Sequence, residues 1–199
     1  MTSDGTSDAL ISEPDGTPLS AGWSVLRLGP QPSINAVNDP GHTLLASGKA
    51  WPGLFAFSST ERIAEGQGLK PRLSVWTESL TTLHQAWLLV GGNPNNRIAL
   101  TLFVDLVRAI SAPDMPGVRA TPRLDVVWER AVRPAPDGTG SVPDDRPGSK
   151  GHCGIDGLCN GTKAQKGKLR ELLAESVPPN GLVVLTDDQI ASFRLKPSA

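Results

Sequence analysis

The densest group of chemically reactive side chains lies between Gly151 and Cys159, where one histidine, two cysteines and one aspartate fall within eight residues. Zinc takes imidazole, thiolate and carboxylate ligands in proteins. The spacing argues against zinc, because the two thiols stand farther apart than the two to four residues typical of zinc knuckles. His152 and Cys153 are also adjacent, and a fourth ligand would have to be Asp156, His42 or His84. We therefore predict no metal and no cofactor. The candidate ligands, if a metal did bind, are His152, Cys153 and Cys159.

The same segment allows three other interpretations. It can be a glycine-rich turn that packs Ile155 and Leu158 onto the body of the protein, with incidental thiols, and this is the structure that we expect. It can instead carry a catalytic or ligand-contacting His152, because functional groups concentrate on loops. A thiol nucleophile would need a base beside it, and only His84 or His42 is available to Cys153 for that purpose.

Four cations follow this segment at the start of a helix, at Lys163, Lys166, Lys168 and Arg170. Cations at a helix N-terminus oppose the helix dipole, so an anionic partner would favour them. A solvated surface is the simpler explanation, because Glu171 and Glu175 continue the same polar face. The stretch 161–168 is not a phosphate loop, because the glycine spacing is wrong and a leucine replaces the residue that would hold magnesium.

The leading hypothesis is a non-catalytic interaction module that contacts a macromolecular or anionic partner through residues 151–170. The predicted binding residues are His152, Lys163, Lys166, Lys168 and Arg170. A protein is the expected partner, because a net charge of −1 gives no general support for nucleic acid.

A second constellation involves an arginine, a hydroxyl-rich run and a glutamate. Arg27 ends a predicted strand, residues 55–60 (FAFSST) end another, and Glu129 follows a third. This order resembles that of ADP-ribosyltransferases. The resemblance implies that Arg27 contacts a dinucleotide, that the hydroxyl strand shapes the nicotinamide pocket, and that Glu129 orients the acceptor. The chain departs from that pattern because it has no tyrosine and no Glu-x-Glu or Gln-x-Glu near Glu129.

The alternative hypothesis is therefore a small nucleotide-using transferase, or a hydrolase, with a pocket near four candidate catalytic residues. These are Arg27, Ser58, Glu129 and His152. The sequence leaves open whether the protein is an enzyme.

Three capping boxes predict helices that would support these sites. Each has a threonine followed three residues later by a glutamine, a pattern in which the two side chains satisfy each other's backbone N–H groups. The pairs begin at Thr82, Thr162 and Thr186. Residues 58–61 (SSTE) also offer caps for a short helical piece, which residues 66–68 (GQG) halt. A further short helix is expected over 105–110.

Apolar runs with strand character predict a sheet between the helices. They cover residues 23–28, 54–57, 73–76, 97–104, 124–128 and 182–185. Strands and helices do not alternate strictly. We therefore predict an α+β single domain with a mixed, mostly antiparallel sheet flanked by two main helices.

Composition sets the remaining limits. The chain has 199 residues, of which 38% are hydrophobic, 20% are charged, 21 are glycine and 18 are proline. This excludes a long coiled coil or a simple helical bundle, and no apolar run is long enough for a membrane span. Residues 1–21 contain only acidic charges and are predicted to be a flexible tail. The domain would then cover 22–199, with long loops over 30–53 and 132–161.

The expected location is the cytoplasm of a bacterial cell, without membrane contact. The first 22 residues lack the basic and apolar regions of a signal peptide, and two cysteines fit a reducing compartment.

Overall fold

The computed structural model describes residues 14–32, 40–66, 68, 70–115 and 121–195. Two of the predicted segments are therefore only partly covered: the predicted tail, of which 1–13 lie outside the described residues, and the predicted loop over 30–53, of which 33–39 lie outside them. Residues 16–19 lie along the outer edge of a strand, where Gly16 N and Leu19 N donate to Trp128 O and Val126 O at 2.8 and 2.9 Å.

Eight strands and the helices between them make up the described part. The strands are β1 (Ser24–Gly29), β2 (Leu73–Thr77), β3 (Ile98–Phe103), β4 (Asp125–Trp128), β5 (Val132–Pro134), β6 (Ser141–Pro143), β7 (His152–Asp156) and β8 (Leu182–Val184). The α-helices are α1 (Pro40–Ala46), α2 (Ser59–Gly66), α3 (Leu83–Leu89), α4 (Val104–Arg108), α5 (Lys163–Glu175) and α6 (Asp187–Leu195). Two short 3₁₀ helices span Pro52–Phe55 and Ser149–Gly151.

Six strands form the main sheet in the order β4-β7-β2-β1-β3-β8, and β5 pairs with β6 as a separate hairpin. The pairings described for both sheets are antiparallel. An α+β fold with a mostly antiparallel sheet is thus confirmed.

The sheet is covered on both faces. Leu169 and Leu173 of α5 pack with the 3₁₀ helix Pro52–Phe55 in the larger core. Trp87 of α3 and Ile190 of α6 pack in the smaller core. Because successive strand residues point to opposite faces, this double cover explains why β3 is apolar on both sides, as its sequence predicts.

The caps are the most accurate local predictions. At α3 and α5 the threonine side chain accepts from the backbone of the glutamine, and the glutamine side chain accepts from the backbone of the threonine. The same reciprocal pair occurs between Thr186 and Gln189 at the start of α6. Ser58 and Glu61 cap α2 in the same way.

Three predictions of local structure are wrong. Residues 54–57 are not a strand, because Pro52 fixes a helical φ and starts a 3₁₀ turn there. The expected loop over 30–53 contains α1. The expected loop over 132–161 contains the β5–β6 hairpin and β7, so the glycine-rich segment after Gly151 is an interior strand rather than a turn.

No helix in the described part of the chain combines the length and the apolar character needed to cross a membrane.

Leu100 in β3 is fully buried in the larger core, whereas Leu106 in α4 is 45% exposed. We expect Leu100→Ala to lower the free energy of unfolding by about 2–5 kcal/mol, because it removes packed atoms and leaves a cavity. Leu106→Ala, the same chemical change at the surface, should stay within about 0.5 kcal/mol. Urea denaturation of both variants measures the difference, and equal losses would contradict the assigned core.

Candidate ligand-binding cleft

A cleft of about 980 Å³ opens where β1 and β2 separate. Its volume lies at the upper end of the range typical of small-molecule sites. Its charged lining consists of four arginines, three carboxylates and one histidine: Arg27, Arg62, Arg72, Arg130, Glu61, Glu129, Asp144 and His152. All four candidate catalytic residues line this cleft, namely Arg27, Ser58, Glu129 and His152.

The opening follows from the strand pairing. β1 pairs with β3 along all six of its residues, from Ser24 to Gly29. With β2 it shares only two residue pairs, Val25 with Thr77 and Leu26 with Trp76. Beyond Leu26 the ladder between β1 and β2 ends, and side chains take the place of backbone hydrogen bonds.

Arg27 occupies this gap. Its Nη1 donates to Ser74 O of β2 at 2.9 Å. Its Nε and Nη2 donate to Leu54 O and Ala56 O, at 3.4 and 3.5 Å. These bonds use three of the five N–H donors of a guanidinium. No carboxylate of the described residues lies within ion-pair distance of Arg27, so two donors and the positive charge remain for another partner.

Ser58 reaches the cleft because it caps α2. Its backbone N–H donates to Glu61 Oε2 at 2.6 Å, and its Oγ accepts from Glu61 N at 3.3 Å. The carboxylate of Glu61 is thus held at the helix start rather than on Arg27. Burial lowers the pKa of Arg27, and the nearby charge of Glu61 partly opposes this.

Arg72 lies close to three carboxylates at the other side of the cleft. Its Nη1 lies 3.0 Å from Asp15 Oδ1 and 3.9 Å from Glu129 Oε1. Its Nε lies 4.0 Å from Asp156 Oδ2. Burial raises the pKa of Glu129, and Arg72 opposes the shift while Asp15, Glu61 and Asp156 add to it.

Gly154 of β7 makes this arrangement possible. A Cβ at this position would lie 2.6 Å from Arg72 Cβ and 3.0 Å from Glu129 Oε2. The two side chains therefore cross directly over the strand backbone. A glycine that looks like a turn signal in the sequence is instead a place of close approach in a strand.

His152 also lines the cleft. Its Nδ1 lies 3.2 Å from Glu129 O, and its ring packs against Trp76 with ring centroids 5.6 Å apart. The side chain is 14% exposed. Burial lowers the pKa of His152, and the hydrogen bond to Glu129 and the charges of Asp144, Glu61 and Asp15 oppose that shift.

The thiols lie apart from this histidine. Because neighbours in a strand point to opposite faces, Cys153 is buried in the larger core while His152 faces Trp76. Cys159 Sγ donates to Pro71 O at 2.9 Å. Burial raises the pKa of Cys153 to about 12 and that of Cys159 to about 11. Among the described residues, no three His, Cys, Asp or Glu side chains are grouped so that they could hold a metal.

The predicted basic surface is largely engaged within the molecule. Lys166 Nζ lies 2.5 Å from Glu65 Oε1, and Lys168 Nζ lies 3.0 Å from Glu171 Oε2. The guanidinium of Arg170 lies over the ring of Phe57, at 5.7 Å. Lys163 is exposed and makes no ion pair with a described residue. Binding of a macromolecule through these cations stays a prediction.

Sequence reasoning missed three arginines and an aromatic residue of the cleft: Arg62, Arg72, Arg130 and Trp76. Arg27 carried a signal, since it interrupts the apolar face of a strand. Arg72 directly precedes β2, and no feature of the neighbouring sequence marks it as a functional residue. Its role depends on Gly154, a residue 82 positions later, which no local pattern connects to it.

Gly154→Ala should lower the free energy of unfolding by about 1–3 kcal/mol, because the new methyl group displaces Arg72 and Glu129. Gly167→Ala is the matched control: it lies in α5 with open space around its Cβ position, and should stabilise the protein by up to about 1 kcal/mol. Thermal or urea unfolding compares them. A neutral Gly154→Ala variant would contradict the crossing of the two side chains.

The lowered pKa of His152 makes stability depend on pH. The unfolded chain binds this proton more readily than the folded protein, so stability falls as pH drops below about 6.5, the ordinary value for histidine. The raised pKa of Glu129 acts in the opposite sense, lowering stability as pH rises above its ordinary range. His152→Gln should therefore reduce the loss of stability between about pH 6.5 and 5, measured by urea denaturation. An unchanged pH profile would show that His152 is not desolvated in the folded state.

No protein-family model matches the chain, and no curated protein or solved structure matches it either. The proposed function therefore rests on the geometry of the cleft.

Proposed function

We propose that the cleft binds a small anionic ligand of the nucleotide class, and that the protein is a small transferase or hydrolase that acts on this ligand. The observation that carries the proposal is the guanidinium of Arg27, which is held at the cleft by three backbone carbonyls and has no carboxylate partner among the described residues.

Arg27 is half-buried, and withdrawing a guanidinium from water costs free energy unless an anion pairs with it. Carbonyl oxygens satisfy some donors of Arg27 but cancel none of its charge. The carboxylates that line the cleft have other partners: Glu61 caps α2, Glu129 Oε1 lies 3.9 Å from Nη1 of Arg72, and Asp144 Oδ2 lies 2.6 Å from Nη2 of Arg146. An anionic group entering the cleft would meet an available positive charge, and the planar guanidinium suits phosphate or carboxylate.

The rest of the lining favours a ligand with an apolar part. Trp76, Phe57, Leu28, Leu89 and Val90 contribute side chains to the same cleft. Small-molecule sites commonly combine such apolar walls with a few fixed polar groups. A nucleotide joins a flat, partly apolar base to phosphates, and so fits both parts of the lining.

The titratable groups of the cleft favour catalysis of a reaction over simple binding of the ligand. Burial raises the pKa of Glu129 and lowers the pKa of His152, in the same cleft as Arg27, and so favours the uncharged form of both groups. Groups with such shifts concentrate at sites of acid–base chemistry. The order of Arg27, Ser58 and Glu129 that resembles ADP-ribosyltransferases adds a specific substrate to test, NAD⁺.

Binding of inorganic pyrophosphate, ATP and NAD⁺ to the full chain, measured by titration calorimetry, tests the proposal. We expect at least one probe to bind, and Arg62→Gln and Arg130→Gln to weaken its binding about 5–10-fold each, the loss of roughly one charge-assisted contact. Both arginines are exposed and make no ion pair with described residues, so folding should be retained.

Lys163→Gln is the matched control, because it removes one exposed cation outside the cleft. Its affinity for the same probe should stay within about twofold of wild type. Absence of binding by all three probes would overturn the proposal. An equal effect of Lys163→Gln would also overturn it, because binding would then reflect general attraction to positive charge.

A further inference from the structure

We propose that Nε2 of His152 is the proton acceptor of the reaction in the cleft, taking a proton from the water or hydroxyl group that attacks the bound ligand. This inference rests on the proposed function, because it assigns a role to His152 in the same cleft. It adds which of the two ring nitrogens acts, and which group holds the ring in that state.

The hydrogen bond at Nδ1 sets the tautomer. Nδ1 lies 3.2 Å from Glu129 O. A carbonyl oxygen can only accept a hydrogen bond, so Nδ1 carries the proton. In a neutral imidazole with a proton on Nδ1, the other nitrogen has a free lone pair. The backbone of Glu129 therefore orients the ring and makes Nε2 the acceptor.

Nε2 belongs to a residue that lines the cleft and is not completely buried. It makes no hydrogen bond with a described residue, and it is not among the described buried polar atoms that lack a partner. The ring is fixed from one side by Trp76. A ring nitrogen that is held in place, not completely buried and unpartnered among the described residues can accept a proton from a ligand or a water molecule in the cleft.

The surroundings favour a neutral ring at neutral pH. Glu129 faces His152 from the end of β4, with Oε2 3.9 Å from Nδ1. Asp144, Glu61 and Asp15 approach from the segment after β6, from α2 and from the edge segment beside β4, and all of them stabilise the charged form. Burial outweighs these carboxylates and keeps the proton off Nε2.

The proposed step is a proton transfer. The O–H bond of the attacking group breaks, its proton passes to Nε2, and its electron pair stays on the oxygen, which then bonds to the electrophilic atom of the ligand. The leaving group departs with the electron pair of its broken bond. The proton held by the imidazolium then passes to the leaving group, which completes the balance and returns His152 to its neutral state.

Nitrogen NMR of the full chain with ¹⁵N-labelled histidine tests the assignment without a ligand. At pH 7.5 we expect His152 to be neutral, with the proton on Nδ1 and an unprotonated Nε2. His84 is an internal control with the opposite expectation, because its Nε2 lies 2.9 Å from Phe193 O and must donate to it. His152→Gln identifies the signals by removing them. A proton on Nε2 of His152 at this pH, in either a neutral or a charged ring, would overturn the proposal.

Acylation by diethyl pyrocarbonate gives a second readout, because the reagent requires an unprotonated and accessible ring nitrogen. Peptide mapping by mass spectrometry should find His152 modified at pH 7, and modification should slow when a probe that binds the cleft is present at saturation. Failure to modify His152 would overturn the proposal. Failure of pyrophosphate, ATP and NAD⁺ to bind would overturn the proposed function instead, so the two failures are distinguishable.

Discussion

The guanidinium of Arg27 lies where β1 and β2 stop pairing, and the cleft depends on this placement. A continuous ladder between the two strands would have satisfied their backbone groups and closed the sheet. Here the side chain of Arg27 supplies donors to Ser74 O, Leu54 O and Ala56 O, which lie on two different walls. The guanidinium that connects the two walls through hydrogen bonds therefore also presents its positive charge to a ligand.

The opposite side of the cleft depends on a glycine, Gly154, which has no side chain. Arg72 and Glu129 cross over β7 because Gly154 leaves room for them. The pairing of β4 with β7 places the backbone of Glu129 beside His152: Glu129 N donates to His152 O at 3.3 Å, and Glu129 O accepts from Nδ1 of His152. Backbone, carboxylate and imidazole are thus linked, and burial of this cluster shifts the pKa of Glu129 upwards and that of His152 downwards.

The sequence was a good guide where the determining interactions are local. Capping boxes place the starts of α3, α5 and α6, and the apolar alternation of residues 97–104 identifies β3. The sequence was a poor guide where the secondary structure of a segment is determined by the distant strands that pair with it. His152–Asp156 has little strand character alone and becomes a strand because β2 and β4 pair with it on both sides. Arg27, Ser58, Glu129 and His152 were identified as candidates, but residues such as Arg72 join them only through long-range contacts.

A crystal structure of the protein soaked with inorganic pyrophosphate would show whether Arg27 binds an anion. We expect a phosphate oxygen within hydrogen-bond distance of a guanidinium nitrogen of Arg27, inside the cleft between β1 and β2. Pyrophosphate bound only at the lysines of α5, or a cleft that stays free of the anion at millimolar concentration, would contradict it.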